Sequence, residues 1–104
     1  MELAGRAVIG TIREAASLEG ARRPAYRLLI DFGPAIGTRW SSAQLTDLYA
    51  AQELVGRQVV ALVDLEPKRI AGFLSEVLVL GAPSPDGVVL LAPERPIEDG
   101  SEVF

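Results

Sequence analysis

The stretch Leu65 to Ala82, LEPKRIAGFLSEVLVLGA, decides how this chain is read. It places a basic pair, Lys68-Arg69, before a Gly turn at Gly72, and a Ser-Glu step, Ser75-Glu76, directly before an apolar run. Pro67 and Gly72 bracket a loop, and Glu76 to Gly81 reads as a buried strand. Working outward, Ala82-Pro83-Ser84-Pro85-Asp86-Gly87 is a turn by composition, and Val88 to Ala92 is the last clear strand before an acidic, Pro-containing tail from about residue 93. Upstream, Arg57 to Leu65 is a strongly β-branched strand preceded by Gly56.

Toward the N-terminus the signals alternate between strand and turn. Arg6 to Glu14 is rich in Val, Ile and Thr and reads as a first strand, with Gly10 expected to mark a bend or bulge. Ala15 to Pro24 is a loop, Ala25 to Phe32 a second strand ended by Gly33-Pro34, and a short third strand lies around Ile36 to Trp40. Leu45, Leu48, Tyr49 and Leu54 fall at near-helical spacing, so a short helix is expected between Leu45 and Leu54, capped by Thr46 or Ser42. These signals alone describe a small β-rich barrel or sandwich.

Several segments together resemble the tRNA-binding oligonucleotide-fold (OB-fold) module, and most closely its small stand-alone members, the CsaA-type export-related chaperones. The resemblance rests on PKRIAG and the Ser75-Glu76 step, on Tyr26 to Gly33, on Trp40-Ser41-Ser42-Ala43-Gln44 and on Gly56 to Ala61, and it runs from Ala4 to Val89. It implies an all-β, five-stranded Greek-key barrel with a short helix between strands 3 and 4. One departure stands out, since relatives commonly read Gly-Met after the polar step where this chain has Val77-Leu78. Leu78 reads as core packing.

The composition bounds the chemistry. A chain of 104 residues fits a single domain, residues 1–104, with one core. It has no cysteine and no histidine, which removes disulfides, thiolate catalysis and the commonest metal ligand and general base. No Gly-rich phosphate loop, nucleophile elbow or metal-ligand spacing is present, so no enzyme, no metal and no cofactor is expected. The apolar runs are far shorter than a membrane span and MELAGRAVIG lacks a targeting pattern, so a cytoplasmic location without membrane insertion is the expectation.

Net charge is -4 and is unevenly placed. Residues 1 to 85 carry nine basic and nine acidic side chains, whereas residues 86 to 104 carry Arg95 against five carboxylates. Neutralised phosphates dominate nucleic-acid affinity, so an overall acidic balance weighs against RNA while a local basic patch remains open. Arg22 and Arg23, between Arg13 and Arg27, and the Lys68-Arg69 pair are the candidates for such a patch, or else are solvated loop cations.

The resemblance implies a homodimeric chaperone that binds unfolded or pre-export polypeptides, with the protein-export machinery as a further partner. The apolar candidates are Trp40, Tyr49, Phe73 and Leu74. Arg22, Arg23, Arg39, Ser41, Ser42, Lys68, Arg69, Ser75 and Glu76 would form a polar rim or meet RNA. The second reading is a tRNA-binding module that recognises tRNA shape through its backbone. A third is a dimerisation domain with no ligand. The plainer roles are that Trp40 caps the core and that Ser41 and Ser42 cap the helix. The tail ending in Val103-Phe104 is expected to dock, on its own barrel or on a partner.

Overall fold

The computed structural model describes residues 5–104; Met1 to Ala4, where the stretch read for targeting and the family resemblance both begin, lie outside the described residues. Its frame is one long strand, β1 (Ala7–Ser17), that serves two ladders. The later half of β1 pairs antiparallel with β2 (Tyr26–Asp31), which pairs in turn with β3 (Thr38–Ala43). The earlier half pairs with β4 (Gln58–Leu62), and a single helical turn, α1 (Ala51–Leu54), stands between β3 and β4. Beyond β4 come a hairpin of β5 (Lys68–Ile70) and β6 (Phe73–Ser75) and the short β7 (Leu78–Val79) against β4. A second hairpin, β8 (Gly81–Ser84) with β9 (Gly87–Leu90), and β10 (Glu102–Val103) complete the order. The sheet runs β3-β2-β1-β4-β7, and β7 returns toward β3, which is the connectivity of an all-β OB-fold barrel with its helix in the expected place.

The interior follows from the two-residue period of the strands. Val8 and Ile12 of β1, Leu28 and Ile30 of β2, and Val59 and Ala61 of β4 point inward and meet Phe32, Leu45, Leu54 and Val77. The alternate residues Ala7, Ile9, Val60 and Leu62 are also buried, because Leu65 and Leu80 cover them on the outer face. The β1–β4 ladder is therefore apolar on both faces, which matches its near-continuous hydrophobic reading.

Gly10 does not bulge. It pairs in register with Val59, and the register shift falls between Ile12 and Glu14. The reason for glycine is packing: a Cβ at position 10 would stand 2.6 Å from Phe32 Cδ1 and 2.7 Å from Ile30 Cγ2. Phe32 fills the barrel over the bare backbone of Gly10.

Closure between β3 and the segment after β6 is made largely by side chains. The Trp40 N–H donates to Glu76 Oε2 at 2.8 Å, while its carbonyl accepts from the Glu76 N–H at 2.8 Å. Ser75 Oγ accepts from the Ser42 N–H at 3.0 Å, and Ser41 Oγ donates to the Val77 carbonyl at 3.0 Å. Ladder pairing is broken here, and an unpaired buried backbone group costs about 1–3 kcal/mol, so the Ser-Glu step and Ser41 take over its work. Among the described residues no buried side-chain polar atom lacks a partner.

Several boundaries differ from the sequence reading. Ser41 and Ser42 belong to β3 instead of capping a helix, since the closure contacts hold them extended. The helix has only four residues; the Ala50 N–H donates to Glu53 Oε1 at 2.8 Å, and neither Thr46 nor Ser42 caps it. Lys68 and Arg69 lie on a hairpin strand because Ala71 and Gly72, with φ of 53° and 80°, form a tight left-handed turn that brings Ile70 opposite Phe73. The stretch around 82–87 is a hairpin for the same kind of reason, with Ser84 opposite Gly87.

The tail straps onto its own barrel. The Gly100 N–H donates to the Ile9 carbonyl and the Ile9 N–H to the Ser101 carbonyl, at 2.8 and 2.9 Å, and β10 pairs with Ala7 and Val8. Thr11 Oγ1 donates to Asp99 Oδ1 at 2.6 Å, and Gln58 exchanges hydrogen bonds with the Ile97 backbone. Arg6 bridges Asp64 at 2.8 Å and Glu102 at 3.3 Å, and these partners, Asp64 first, hold its pKa above the ordinary value. Phe104 itself is fully exposed.

Two outcomes follow for stability. Gly10→Ala should destabilise by about 1–3 kcal/mol in urea unfolding through overpacking, and Phe32→Leu in the same chain should recover part of that loss; strictly additive losses would refute the packing role. Glu76→Ala should cost about 1–2 kcal/mol and Glu76→Gln distinctly less, read as midpoint shifts, because glutamine keeps an acceptor for the Trp40 N–H.

Candidate functional site

Loop 18–25, between β1 and β2, leans toward the β5–β6 turn; a Cβ on Gly20 would lie 3.6 Å from Ala71 Cβ. This approach brings Arg22 and Arg23, together with Lys68 and Arg69, into the lining of an open groove of about 1190 Å³. Ser42, Ser75 and Glu76 line it from the closure seam. The strongest basic candidates, 45 residues or more apart in sequence, thus converge in one place.

The apolar lining comes from residues that the sequence reading had not selected. Leu65, Ile70, Leu78, Leu80, Val88 and Leu90 contribute to the groove. Leu78 differs most from the expectation of core packing, since it is 48% exposed. The closure contacts fix an alternating register in which Ser75 and Val77 turn inward, so Leu78 turns out. Val77 to Leu80 are all apolar, so the sequence itself carries no signal of which of them faces out.

The aromatic candidates form no single patch. Trp40 lies on the outer face of β3, opposite Leu29, with the Phe73 ring edge-on at 5.7 Å and the Arg27 guanidinium 5.8 Å from its ring centroid. Leu74, next to Phe73 on β6, points to the opposite face of the hairpin and is 39% exposed. Tyr49 is elsewhere and is built into the wall: its hydroxyl accepts from the Leu90 N–H at 3.1 Å, its carbonyl accepts from the Tyr26 hydroxyl at 2.8 Å, and Arg57 stacks over its ring at 5.2 Å. Arg39 folds back onto the Thr38 carbonyl at 2.9 Å, at the far end of β3 from the groove. Ser41 is completely buried, which places it beneath the rim that it was expected to join.

Electrostatically the groove is set apart from the rest of the chain. Among the described residues Arg22, Arg23, Lys68 and Arg69 make no ion pair, and only Glu66 and Glu76 supply negative charge to the lining. Glu76 is already engaged by the Trp40 N–H. A second, shallow hollow of about 480 Å³ is acidic, lined by Asp31, Glu98 and Asp99 beside Gly33, Pro34 and Gly37. It lies where the tail crosses the opposite end of the β2–β3 ladder, and Thr11 and Gln58 occupy Asp99. Among the described residues no cluster of carboxylates could hold a metal ion, and no helix is long and apolar enough to cross a membrane.

Comparison with known proteins agrees with this architecture. The family model described as "Putative tRNA binding domain" matches residues 7–102. The chain is 36% identical over 92 residues to a methionine–tRNA ligase of Methanothrix thermoacetophila, covering 88% of this chain and 13% of the ligase. A methionine–tRNA ligase of Methanopyrus kandleri is 33% identical over 96 residues, 91% of this chain and 14% of that protein. The chain therefore spans about one seventh of the length of these curated relatives. Among solved structures, the chaperone CsaA of Bacillus anthracis superposes with a TM-score of 0.88 at 47% identity, covering 95% of this chain and 90% of that one. The CsaA chaperone protein of Picrophilus torridus gives 0.91 at 44% identity, with 95% and 91% covered. By the match of its barrel from β1 to β10, and by its likeness to these proteins over nearly all of the described chain, this protein belongs to the tRNA-binding domain family.

Proposed function

We propose that this protein is a non-enzymatic chaperone of the CsaA kind that holds unfolded or pre-export polypeptide segments in the groove between loop 18–25 and the β5–β6 hairpin. The observation that carries this reading is the union of exposed Leu78 and its half-buried apolar neighbours with four cations free of ion pairs among the described residues in one open groove. Apolar surface gives affinity for many sequences, and the charged rim keeps the empty groove solvated. The similarity to CsaA chaperones across most of both chains supports the same reading. No reacting group is needed: the work is capture and release. We place the protein in the cytoplasm as one domain, serving the export machinery, and as a homodimer. Half-exposed Val89, Leu91, Ile97 and Val103 offer the apolar surface for that association. Because the tail is hydrogen-bonded to its own β1, its removal would unpair that strand and would not be a clean test of assembly.

A second reading, a tRNA-binding module, is favoured by the same four cations and by the family match. Phosphates would sit against Arg22, Arg23, Lys68 and Arg69, with guanidinium forks and a lysine point charge as donors.

Leu78→Glu should leave thermal unfolding nearly unchanged, because the side chain is half exposed. It should weaken protection of a heat-denatured client about tenfold in a light-scattering assay, the loss expected from a buried leucine contact. Full protection by that variant would remove the groove from the chaperone reading. Labelled bulk tRNA, titrated by anisotropy at low and physiological salt, separates the two readings: saturable binding with a steep salt slope, lost in an Arg22→Ala, Arg23→Ala variant, would put RNA in the groove. Leu91→Asp together with Ile97→Asp should convert a dimer to monomer in static light scattering, and an unchanged mass would exclude that face.

A further inference from the structure

The chain as a whole carries a net charge of -4, yet the side chains that line the groove carry Arg22, Arg23, Lys68 and Arg69 against Glu66 and Glu76. The groove is positive on a negative molecule. Its two carboxylates are not equivalent, since Glu76 accepts the Trp40 N–H at 2.8 Å and is held toward the closure seam. The four cations come from two elements that face each other, and among the described residues none has a carboxylate partner. Charges left unpaired beside apolar surface favour a ligand that brings its own negative groups and its own apolar ones. Three other carboxylates, Asp31, Glu98 and Asp99, collect away from the groove, at the opposite end of the β2–β3 ladder. An acidic ligand is therefore attracted at the groove and repelled around the tail.

We infer that the groove selects acidic polypeptide segments, extended stretches in which Glu or Asp stands next to Leu, Ile or Val, and disfavours basic ones. This rests on the polypeptide-holding reading and adds a client class to it. Apolar side chains of the segment lie on Leu78, Ile70 and Leu80, and its carboxylates meet Arg22, Arg23, Lys68 and Arg69. Arginine supplies three of these four contacts, and its planar fork suits a carboxylate.

The test uses three fluorescein-labelled peptides with the same leucine, alanine and serine content and with Glu, Gln or Lys at the remaining positions, titrated by anisotropy at about 0.01 M and about 0.15 M salt. The Glu peptide should bind about tenfold more tightly than the Gln peptide at low salt, and the Lys peptide more weakly than either. The preference should shrink at the higher salt. It should vanish in the Arg22→Ala, Arg23→Ala variant, leaving the Glu and Gln peptides equal in affinity; both arginines are exposed, so the fold is retained and a thermal melt checks this. Equal affinity for all three peptides would overturn the charge selection while leaving the holding of polypeptides intact. Absence of binding to all three would overturn the polypeptide reading itself, and the inference with it, and saturable tRNA binding under the same conditions would then assign the cations to phosphates.

Discussion

The rest of the molecule depends on the seam where β3 meets the chain after β6. A barrel must satisfy the backbone groups of its last strand, and here ladder hydrogen bonds do so only in part. The carboxylate of Glu76 and the hydroxyls of Ser75 and Ser41 reach across to the backbone of Trp40, Ser42 and Val77. Side-chain closure has two effects. It removes the penalty of orphaned amides at the joint, and it sets the side-chain alternation from Ser75 onward, which decides whether Val77 or Leu78 faces solvent.

The groove is a consequence of that joint. With Val77 drawn into the core, Leu78 is left outside, and the β5–β6 hairpin projects past the seam toward loop 18–25. Polar residues that resemble a ligand-binding signature in sequence therefore have two functions. Ser75 and Glu76 face the groove and also hold the barrel shut, whereas Ser41 does only the second. Loss of ligand binding after changing Ser75 or Glu76 would by itself say little about contact, because the wall of the groove rests on them.

At the other end of the β2–β3 ladder the tail acts as a strap. Asp99 and Ile97 are bound through Thr11 and Gln58, and β10 covers the outer edge of β1. This places Glu98 and Asp99 of the acidic tail near Gly33 and Arg13, at the opposite end of the β2–β3 ladder from the four groove cations. The uneven charge along the sequence becomes an uneven charge in space. A chain with an acidic isoelectric point near 4.7 can in this way keep a basic groove.

Much of this was legible in the residues. The β-branched runs at Ala7, Tyr26 and Gln58 announced their strands, the absence of cysteine and histidine restricted the chemistry, and the combination of PKRIAG, Ser75-Glu76 and Trp40-Ser41-Ser42 pointed to the family and so to the barrel. Arg22, Arg23, Lys68 and Arg69 were identifiable as candidates because charge is a property of single residues. Their convergence was not, because it depends on the Gly20–Ala71 approach between distant segments. The packing of Phe32 on Gly10 and the exposure of Leu78 were equally hidden, each being set by a neighbour far away in the chain. Local composition determined which elements form and which chemistry is possible; only tertiary packing decided which side of each element faces the core, since a one-residue shift in register reverses every side chain and no single strand specifies its partner.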